Sequence, residues 1–194
     1  MRELVFATNN DNKVREIRAV LGNEFHILPL KEAGILIDIP EPHDTLHDNA
    51  TEKSLTIHKL TGLDCFAEDT GLEVDALGGE PGVRSARYAG DSADFKANIT
   101  KLLKNLVGQT TRAAKFRTII SLIIDGKEHQ FEGICSGEIT QDISGKGGFG
   151  YDPVFIPEGG DKTFAEMDME EKNHFSHRRK AVDKLVAFLK TQNG

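Results

Sequence analysis

Short apolar runs alternate with segments of helical periodicity along the first part of the chain. Residues 4–8 are mostly apolar and lead into a cluster of asparagines, which predicts a buried strand that runs into a turn. The apolar positions within 14–21 recur at helical spacing, so a helix is expected there. A second helix is predicted from 49 to 60, and the run 65–67 is typical of another short buried strand. The next residues, 68–71, are predicted to form an acidic turn at the end of that strand.

The middle of the chain predicts a helix followed by a β-hairpin. The dipeptide Asp91-Ser92 supplies a helix start signal, and apolar residues then repeat at helical spacing between 95 and 106. Alternation within 116–124 is typical of a long strand. Because Asp125-Gly126 is a strong hairpin signal, a return strand is expected from 127 to about 139.

The last part of the chain combines a glycine-rich loop with an amphipathic helix. Glycine occupies four of the six positions 145–150, which predicts a loop, and a short strand is expected at 153–156. Apolar residues on one face between 182 and 189 predict a C-terminal helix. Alternating strands and helices together with a hairpin predict an α/β fold with a mixed sheet rather than an all-parallel one.

Length and charge restrict the class of protein. The 194 residues suit one globular domain, 1–194, with two lobes. Because 31 acidic residues outnumber 24 basic ones, for a net charge of −7, the surface should repel phosphate backbones. Neither a stable nucleic-acid partner nor binding to a membrane surface is therefore expected. No stretch approaches the ~20 apolar residues that a membrane helix needs.

Two features bear on the compartment. Residues 1–6 lack the apolar core of a signal peptide. Cys65 and Cys135 are too few for a disulfide framework and too far apart in sequence for a cysteine metal motif. The sequence therefore predicts a cytoplasmic protein.

The loop between the first strand and the first helix has features of an anion site. Thr8, Asn9 and Asn10 lie where the amides of a helix start are free and where the positive end of the helix dipole favours negative charge. Lys13 adds a full positive charge. The loop lacks the glycines and the terminal Lys-Ser/Thr of a Walker A loop, and a polar capping loop explains this segment equally well.

Carboxylates crowd two segments of the sequence. Glu68 and Asp69 follow a predicted buried strand, and Glu41 begins a second acidic stretch. Mg²⁺ prefers oxygen ligands and usually shares them with substrate phosphates, so carboxylates at a strand end next to a phosphate-type loop suit this metal. A carboxylate beside such a metal could take a proton from an attacking water. A solvated acidic face is the alternative, and the position of Asp69 at a strand end favours function.

The glycine-rich loop and the start of the C-terminal helix suggest ligand contacts. The loop 145–150 formally matches a dinucleotide-binding loop, but a strand is predicted after it instead of a helix, so that interpretation is rejected. A loop that presents Phe149 could stack on a base. Lys172, His177 and Arg178 supply hydrogen-bond donors that could point across a cleft, although a solvated helix face would also explain them.

Seven short segments, taken together, form a recognisable order along nearly the whole chain. They are Thr8-Asn9-Asn10 with Lys13, Asn49-Ala50 with Lys53, Ala67 to Leu72, Gly78 to Val83, Ser85 to Tyr88, Gly147 to Pro153 and Ser176 to Arg178. In this order they resemble the inosine triphosphate pyrophosphatase family, whose members are also called XTP/dITP diphosphatases. Any one segment would be weak evidence, but seven in register are specific.

The resemblance implies a fold, a reaction and an assembly. The expected fold is an elongated mixed β-sheet with helices that form two lobes around a substrate cleft. The expected reaction is the Mg²⁺-dependent hydrolysis of deaminated purine nucleoside triphosphates (ITP, dITP and XTP) to the nucleoside monophosphate and pyrophosphate, which cleanses the nucleotide pool. Members of the family are usually homodimers.

The resemblance also implies roles for individual residues. Asp69 is expected to accept a proton and to bind the metal, with Glu68 in support and Glu41 as a further metal ligand. Donors from His177 and Arg178 would favour O6 of hypoxanthine or xanthine over the amino group of adenine. The residues expected to contact the substrate are Thr8, Asn9, Asn10, Lys13, Lys53, Thr70, Phe149, Gly150, Tyr151, Asp152, Lys172, His177 and Arg178.

Other functions stay open at this stage. A pyrophosphatase for a modified pyrimidine or a methylated nucleotide would share the phosphate and metal residues without needing a donor for O6. A nucleotide-binding sensor would bind without turnover, although the presence of Asp69 argues against it. A zinc hydrolase built on His43 and His47 is the most distant alternative, because the glutamate of an H-E-x-x-H helix is absent.

Overall fold

The computed structural model describes residues 3–21 and 25–192. Those residues form five α-helices and seven β-strands, joined by loops and short 3₁₀ turns. The helices are α1 (Asp11–Leu21), α2 (Leu46–Thr61), α3 (Phe95–Asn105), α4 (Met169–Phe175) and α5 (His177–Gln192). The strands are β1 (Glu3–Phe6), β2 (His26–Pro29), β3 (Cys65–Val74), β4 (Pro81–Gly82), β5 (Ala113–Ile124), β6 (Lys127–Ile139) and β7 (Phe155–Pro157). Within this described part, none of the helices is long and apolar enough to cross a membrane.

The strands form one mixed sheet, which confirms the predicted fold class. The strand order is β2-β1-β3-β5-β6-β7, and β4 pairs with β3 outside this path. β1 pairs in parallel with β2 and with β3, whereas the β3–β4 and β6–β7 pairs are antiparallel. Between β5 and β6, Asp125 and Gly126 both have positive φ angles of 51° and 74°, as a tight type I′ hairpin turn requires. The predicted hairpin is therefore confirmed.

The chain divides into two compact units, and the first takes its described residues from Met1–Asp69, Thr118–Gly133 and Arg178–Gly194. Its core contains the apolar faces of α1 and α5, represented by Ile17 and Leu185, which are both fully buried. The rings of Phe6 and Phe66 stack with centroids 4.4 Å apart. This core fixes the ends of β1 and α1 and the first half of β3, which carry the charged residues described below.

The second unit comprises Thr70–Arg117 and Ile134–His177. Leu102 on the inner face of α3 is fully buried in a core with aromatic residues from β5, β7 and a 3₁₀ turn. Phe116 packs edge-on against Phe155 with ring centroids 4.7 Å apart. This core supports the glycine-rich loop 145–150, which the structure confirms as a loop.

The structure corrects the predicted acidic turn at 68–71. β3 continues through these residues to Val74, so Glu68 and Asp69 lie within a strand. Leu72 and Val74 are fully buried and extend the strand beyond the polar residues. The two carboxylates are buried because cations from other elements neutralise them, and such partners are not apparent from local polarity.

Three element boundaries also differ from the predictions. α3 begins at Phe95 rather than after Asp91, because the Asp94 carboxylate accepts hydrogen bonds from the first-turn amides and caps the helix. α2 begins at Leu46, with Thr45 as its cap. The strand predicted at 153–156 is present as β7, but it begins only at Phe155, after a 3₁₀ turn at Asp152–Val154. Strand β2 was not predicted from the sequence.

Candidate functional site

The loop after β1 is held by its own polar side chains. Asn10 Oδ1 accepts hydrogen bonds from two amides in the first turn of α1, at 3.0 and 3.3 Å. Thr8 Oγ1 accepts from the amide of Asn10 at 3.2 Å, and Asn9 donates to a backbone carbonyl at 2.9 Å. From this fixed turn, Lys13 Nζ reaches Glu68 Oε1 at 3.1 Å. The capping interpretation of the loop is confirmed, and its contact with phosphate stays a prediction.

Lys53 lies between two carboxylates of the first unit. It projects from the inner face of α2, next to the buried residue Ala50, and is only 6% exposed. Its Nζ is 2.5 Å from Glu41 Oε1 and 3.0 Å from Asp69 Oδ1. Within residues 3–21 and 25–192, the other oxygen of the buried Asp69 carboxylate, Oδ2, has no hydrogen-bond partner. The arrangement leaves one acceptor atom of Asp69 available for a proton, a water or a cation.

The surroundings shift the pKa values of these three groups in different ways. Burial raises the pKa of Asp69 above its usual value, despite the opposing charges of Lys53 and Lys13. Burial would also raise the pKa of Glu41, but the charge and hydrogen bond of Lys53 outweigh it and lower that pKa. Burial opposes the charged form of Lys53, but Asp69 and Glu41 prevail and raise its pKa. Asp69 is therefore a stronger base than an ordinary aspartate, next to a lysine that stays charged.

Glu68 is held by a guanidinium from the start of α5. Arg178 Nε and Nη2 donate to the two Glu68 carboxylate oxygens at 2.7 and 2.9 Å, which is a bidentate pair. Arg178 Nη1 donates to the Glu16 carboxylate on α1. All three side chains are nearly inaccessible to solvent. Two helices and one strand of the first unit thus meet in a buried ionic cluster formed by Glu16, Glu68, Arg178 and the nearby Lys13.

The ionic cluster keeps Glu68 ionised, in contrast to its neighbour in the chain. Burial would raise the pKa of Glu68, but the charges of Arg178 and Lys13 outweigh it and hold that pKa well below its usual range. Burial would lower the pKa of Arg178, but Glu68 and Glu16 raise it. The environments of Glu68 and Asp69 therefore shift the pKa values of two adjacent carboxyl groups in opposite directions. Such a split is typical of sites where one carboxylate orients and the other exchanges a proton.

The glycine-rich loop of the second unit folds closely around Asp152. Gly148 has a positive φ of 67°, and a Cβ atom there would lie 2.0 Å from Asp152 Oδ2. Because glycine has no side chain, Asp152 Oδ2 can accept a hydrogen bond from the amide of Phe149 at 2.9 Å. The amide of Gly147 also donates to the carbonyl of Ala165 at 2.9 Å. The loop is fixed at several points, so Phe149 has a defined position.

Lys172 on α4 joins this loop through a buried ion pair. Its Nζ is 2.5 Å from Asp152 Oδ2, and both side chains are about as buried as the core. The same Nζ lies 5.2 Å from the ring centroid of Phe149, within the range of a cation–π contact. The Lys172 ammonium, the Phe149 amide and the Phe149 ring therefore all lie next to Asp152 or to each other in the second unit.

The other predicted residues of the second unit are mostly buried. The ring of His177 stacks on Phe116 with centroids 4.7 Å apart and an interplanar angle of 15°. Tyr151 donates its hydroxyl to the carbonyl of Ser85 at 2.7 Å. Burial, with a contribution from Tyr88, raises the pKa of Tyr151, so its hydroxyl stays a neutral donor. The two remaining predicted residues of this unit, Thr70 and Gly150, are half-buried.

Glu41 and Asp69, the two predicted metal ligands, lie close enough together that they could hold Mg²⁺. Both lie within 3.0 Å of Lys53 Nζ, and the charge of Glu41 is one of the causes that raise the pKa of Asp69. Asp69 Oδ2, which has no hydrogen-bond partner among the described residues, could accept either a hard cation or the proton of a water. Across residues 3–21 and 25–192, no three His, Cys, Asp or Glu side chains come close enough together to enclose a metal. Water or phosphate oxygens would complete the ligand set, as is usual for Mg²⁺.

Sequence reasoning missed Glu16. It precedes Val20 by four residues and so lies beside the apolar face of α1, where it is only 3% exposed. A carboxylate at a buried helix position signals a buried cation, but the partner, Arg178, is 162 residues away. Glu16 positions Arg178, and Arg178 in turn positions Glu68.

Comparisons with known proteins identify the family of this chain. The Ham1 family model matches residues 4–188. The chain is 53% identical to a dITP/XTP pyrophosphatase of Porphyromonas gingivalis over 97% of this chain and 98% of the relative. It is 50% identical to the dITP/XTP pyrophosphatase of Flavobacterium johnsoniae over 96% and 97% of the two chains. The solved structure of the Staphylococcus aureus Ham1 protein superposes with a TM-score of 0.89 at 40% identity and covers 98% of this chain and 99% of that one. The chain belongs to the Ham1 family.

Proposed function

We propose that the protein hydrolyses deaminated purine nucleoside triphosphates (ITP, dITP and XTP) to the nucleoside monophosphate and pyrophosphate. The observation that carries this proposal is the buried Glu68–Asp69 pair, whose two carboxyl pKa values are shifted in opposite directions, in a chain of this family. Relatives about half identical over nearly their full length are named for the same reaction.

In this reaction, the oxygen of a water molecule attacks the α-phosphorus and the α–β anhydride bond breaks. Pyrophosphate is the leaving group. Asp69 Oδ2 is proposed to accept the proton of the water, because it is a buried, unpartnered acceptor on a carboxylate of raised pKa. Lys53 holds the other oxygen, Oδ1, and so fixes the direction in which Oδ2 points. Glu68 and Arg178 are proposed to keep this part of β3 in place.

Charge compensation is the second requirement of the reaction. A triphosphate carries about four negative charges, so cations must converge on it in a protein that is acidic overall. Lys13 and Lys53 are proposed to supply two of them, beside the loop of Thr8, Asn9 and Asn10. Glu41 and Asp69 would hold Mg²⁺, which when bound neutralises phosphate oxygens.

We propose that residues of the second unit select the base, together with Arg178, the residue that follows His177. Phe149 is suited to stack on a purine, and His177 is proposed to donate to O6, which inosine and xanthosine present where adenosine has an amino group. In the structure, Arg178 donates to Glu68 and Glu16, so its direct contact with the base stays a prediction. Thr70, Gly150, Tyr151, Asp152 and Lys172 complete the proposed substrate contacts.

The homodimer implied by the family resemblance and the cytoplasmic location predicted from the sequence are also part of this proposal. Light scattering coupled to size-exclusion chromatography measures the mass in solution. A mass of twice the 21.4 kDa chain is expected, and a monomer would contradict the proposed assembly.

The test of the function is pyrophosphate release from single triphosphates, with Mg²⁺ and with chelator. The panel contains ITP, dITP, XTP, ATP, GTP and dTTP. Release from the first three that depends on Mg²⁺, with little from ATP or dTTP, is expected. Preferential release from a pyrimidine nucleotide would support the related pyrophosphatase instead. Binding without release from any nucleotide would support a sensor.

A further inference from the structure

A second phenylalanine lies beside the ring of Phe149 in the second unit. Phe95, the first residue of α3, has its ring centroid 6.2 Å from that of Phe149, at an interplanar angle of 50°. Phe95 is 38% exposed, and it is the one aromatic ring among the exposed large apolar side chains of the described residues. Phe95 is thus an accessible apolar ring beside the proposed base contact Phe149.

Hydrogen bonds hold Phe95 in place on α3. Asp94 caps the helix by accepting the amides of Lys96 and Ala97 at 2.9 and 3.2 Å. Asn98, one turn after Phe95, is 1% exposed and donates to the carbonyl of Ser85 at 3.4 Å. Its Oδ1 also accepts a backbone amide at 2.7 Å. The start of α3 is thus anchored at two points.

The same carbonyl also anchors the glycine-rich loop. Tyr151, two residues after Phe149, donates its hydroxyl to Ser85 O at 2.7 Å. Asp152 binds the amide of Phe149 itself. Because Asn98 and Tyr151 share one acceptor, buried hydrogen bonds tie the start of α3 and the glycine-rich loop to the same point of the chain.

Two rings tilted by 50° form a corner that suits a flat aromatic ligand. A base that stacks on one ring presents its edge to the other, and both offset stacking and edge-to-face contact are favourable arrangements. We infer that Phe95 is a second contact for the purine base, one that determines affinity for the nucleoside part of the substrate beside Phe149. This inference rests on the proposed function. It assigns to Phe95 a contribution that depends on the base and is independent of the phosphates.

Steady-state kinetics of Phe95 variants test this role. For Phe95→Ala, the KM for ITP should rise roughly 3- to 10-fold, the size of an aromatic contact, while kcat stays within about twofold. Inhibition by inorganic tripolyphosphate, which has no base, should be unchanged. Phe95→Tyr keeps the ring and should restore the KM. Val107→Ala removes another exposed apolar side chain, 78% accessible, just beyond the same helix and serves as the matched control.

Three results would overturn the inference. One is an unchanged KM for ITP in Phe95→Ala, and another is an equal loss of tripolyphosphate inhibition, which would show a general effect on the site. The third is a Tm that falls well below that of Val107→Ala together with failure of Phe95→Tyr to restore the KM, which would show a purely structural role.

Failure of the proposed function has a separate signature. If the wild-type protein released no pyrophosphate from any purine triphosphate, the proposed function would be wrong, whatever the role of Phe95. Calorimetric titration with IMP would then still measure the base contact, since weaker binding to Phe95→Ala than to Val107→Ala supports it and equal binding contradicts it.

Discussion

Replacement of Arg178 by methionine would remove the cation that Glu68 and Glu16 share. Arg178 is 2% exposed and binds carboxylates through three nitrogens, so the variant leaves two buried carboxylates without that charge. Removing one partner of a buried ion pair costs about 3–5 kcal/mol. Lys13, 3.1 Å from Glu68, compensates in part, so a loss of about 3 kcal/mol in the free energy of unfolding is expected near neutral pH.

The pH dependence of this loss follows from the pKa of Glu68. In the wild-type protein that pKa lies below its ordinary value of 4.5, so its contribution to stability is fully present above this pH and is lost as the pH falls further. Without Arg178, burial becomes the dominant influence and should raise the pKa of Glu68 above 4.5. The folded variant would then bind a proton more readily than the unfolded chain. Mild acid should therefore narrow the stability gap between variant and wild type.

Urea unfolding followed by circular dichroism measures the difference in the free energy of unfolding between Arg178→Met and wild type. The measurement is made at about pH 7 and about pH 5, with chelator present. Arg179→Met is the matched control, because Arg179 is a neighbouring arginine whose ion pair with Asp183 is largely exposed; its loss should be below about 1 kcal/mol. Equal losses in Arg178→Met and Arg179→Met, or a stability difference that does not narrow in acid, would show that Arg178 does not stabilise the two buried carboxylates.

Three further substitutions test the two units separately. Asp69→Asn should lower kcat for ITP by roughly 10²–10⁴-fold with an unchanged circular dichroism spectrum, and near wild-type turnover would exclude Asp69 as the base. Gly148→Ala should raise the KM for ITP because its Cβ would lie 2.0 Å from Asp152 Oδ2. Gly108→Ala, at a similar positive φ but with nothing within 4 Å and outside the proposed substrate contacts, should leave the KM unchanged; equal effects would contradict the close-packing argument. His177→Ala should reduce the preference for ITP over ATP, measured as the ratio of kcat/KM values, and an unchanged ratio would remove His177 from base recognition.

Elements with strong local patterns were predicted correctly from the sequence. The hairpin follows from Asp125-Gly126 and the flanking alternation, and α5 follows from its apolar face, because both signals depend on neighbouring residues. β2 was missed because a strand of four residues carries little periodicity. Boundaries failed where several capping residues compete, as Asp91 and Asp94 do before α3.

The pairings within the candidate site could not be predicted in the same way. The motifs identified Glu68, Asp69 and Arg178 individually, but the polar run at 68–71 has the appearance of a turn until its counter-charges are known. The partner of Glu68 is 110 residues away, and Glu16 has no motif at all. Long-range charge compensation decides both the local structure of β3 and the chemistry of its carboxylates, and a single sequence does not contain that information explicitly.

The most direct test of the central claim is a competition between ITP and ATP in one reaction with Mg²⁺, followed by phosphorus NMR. The proposed function requires that ITP is converted to IMP and pyrophosphate while ATP persists. Formation of IDP and inorganic phosphate, or equal consumption of both nucleotides, would contradict it.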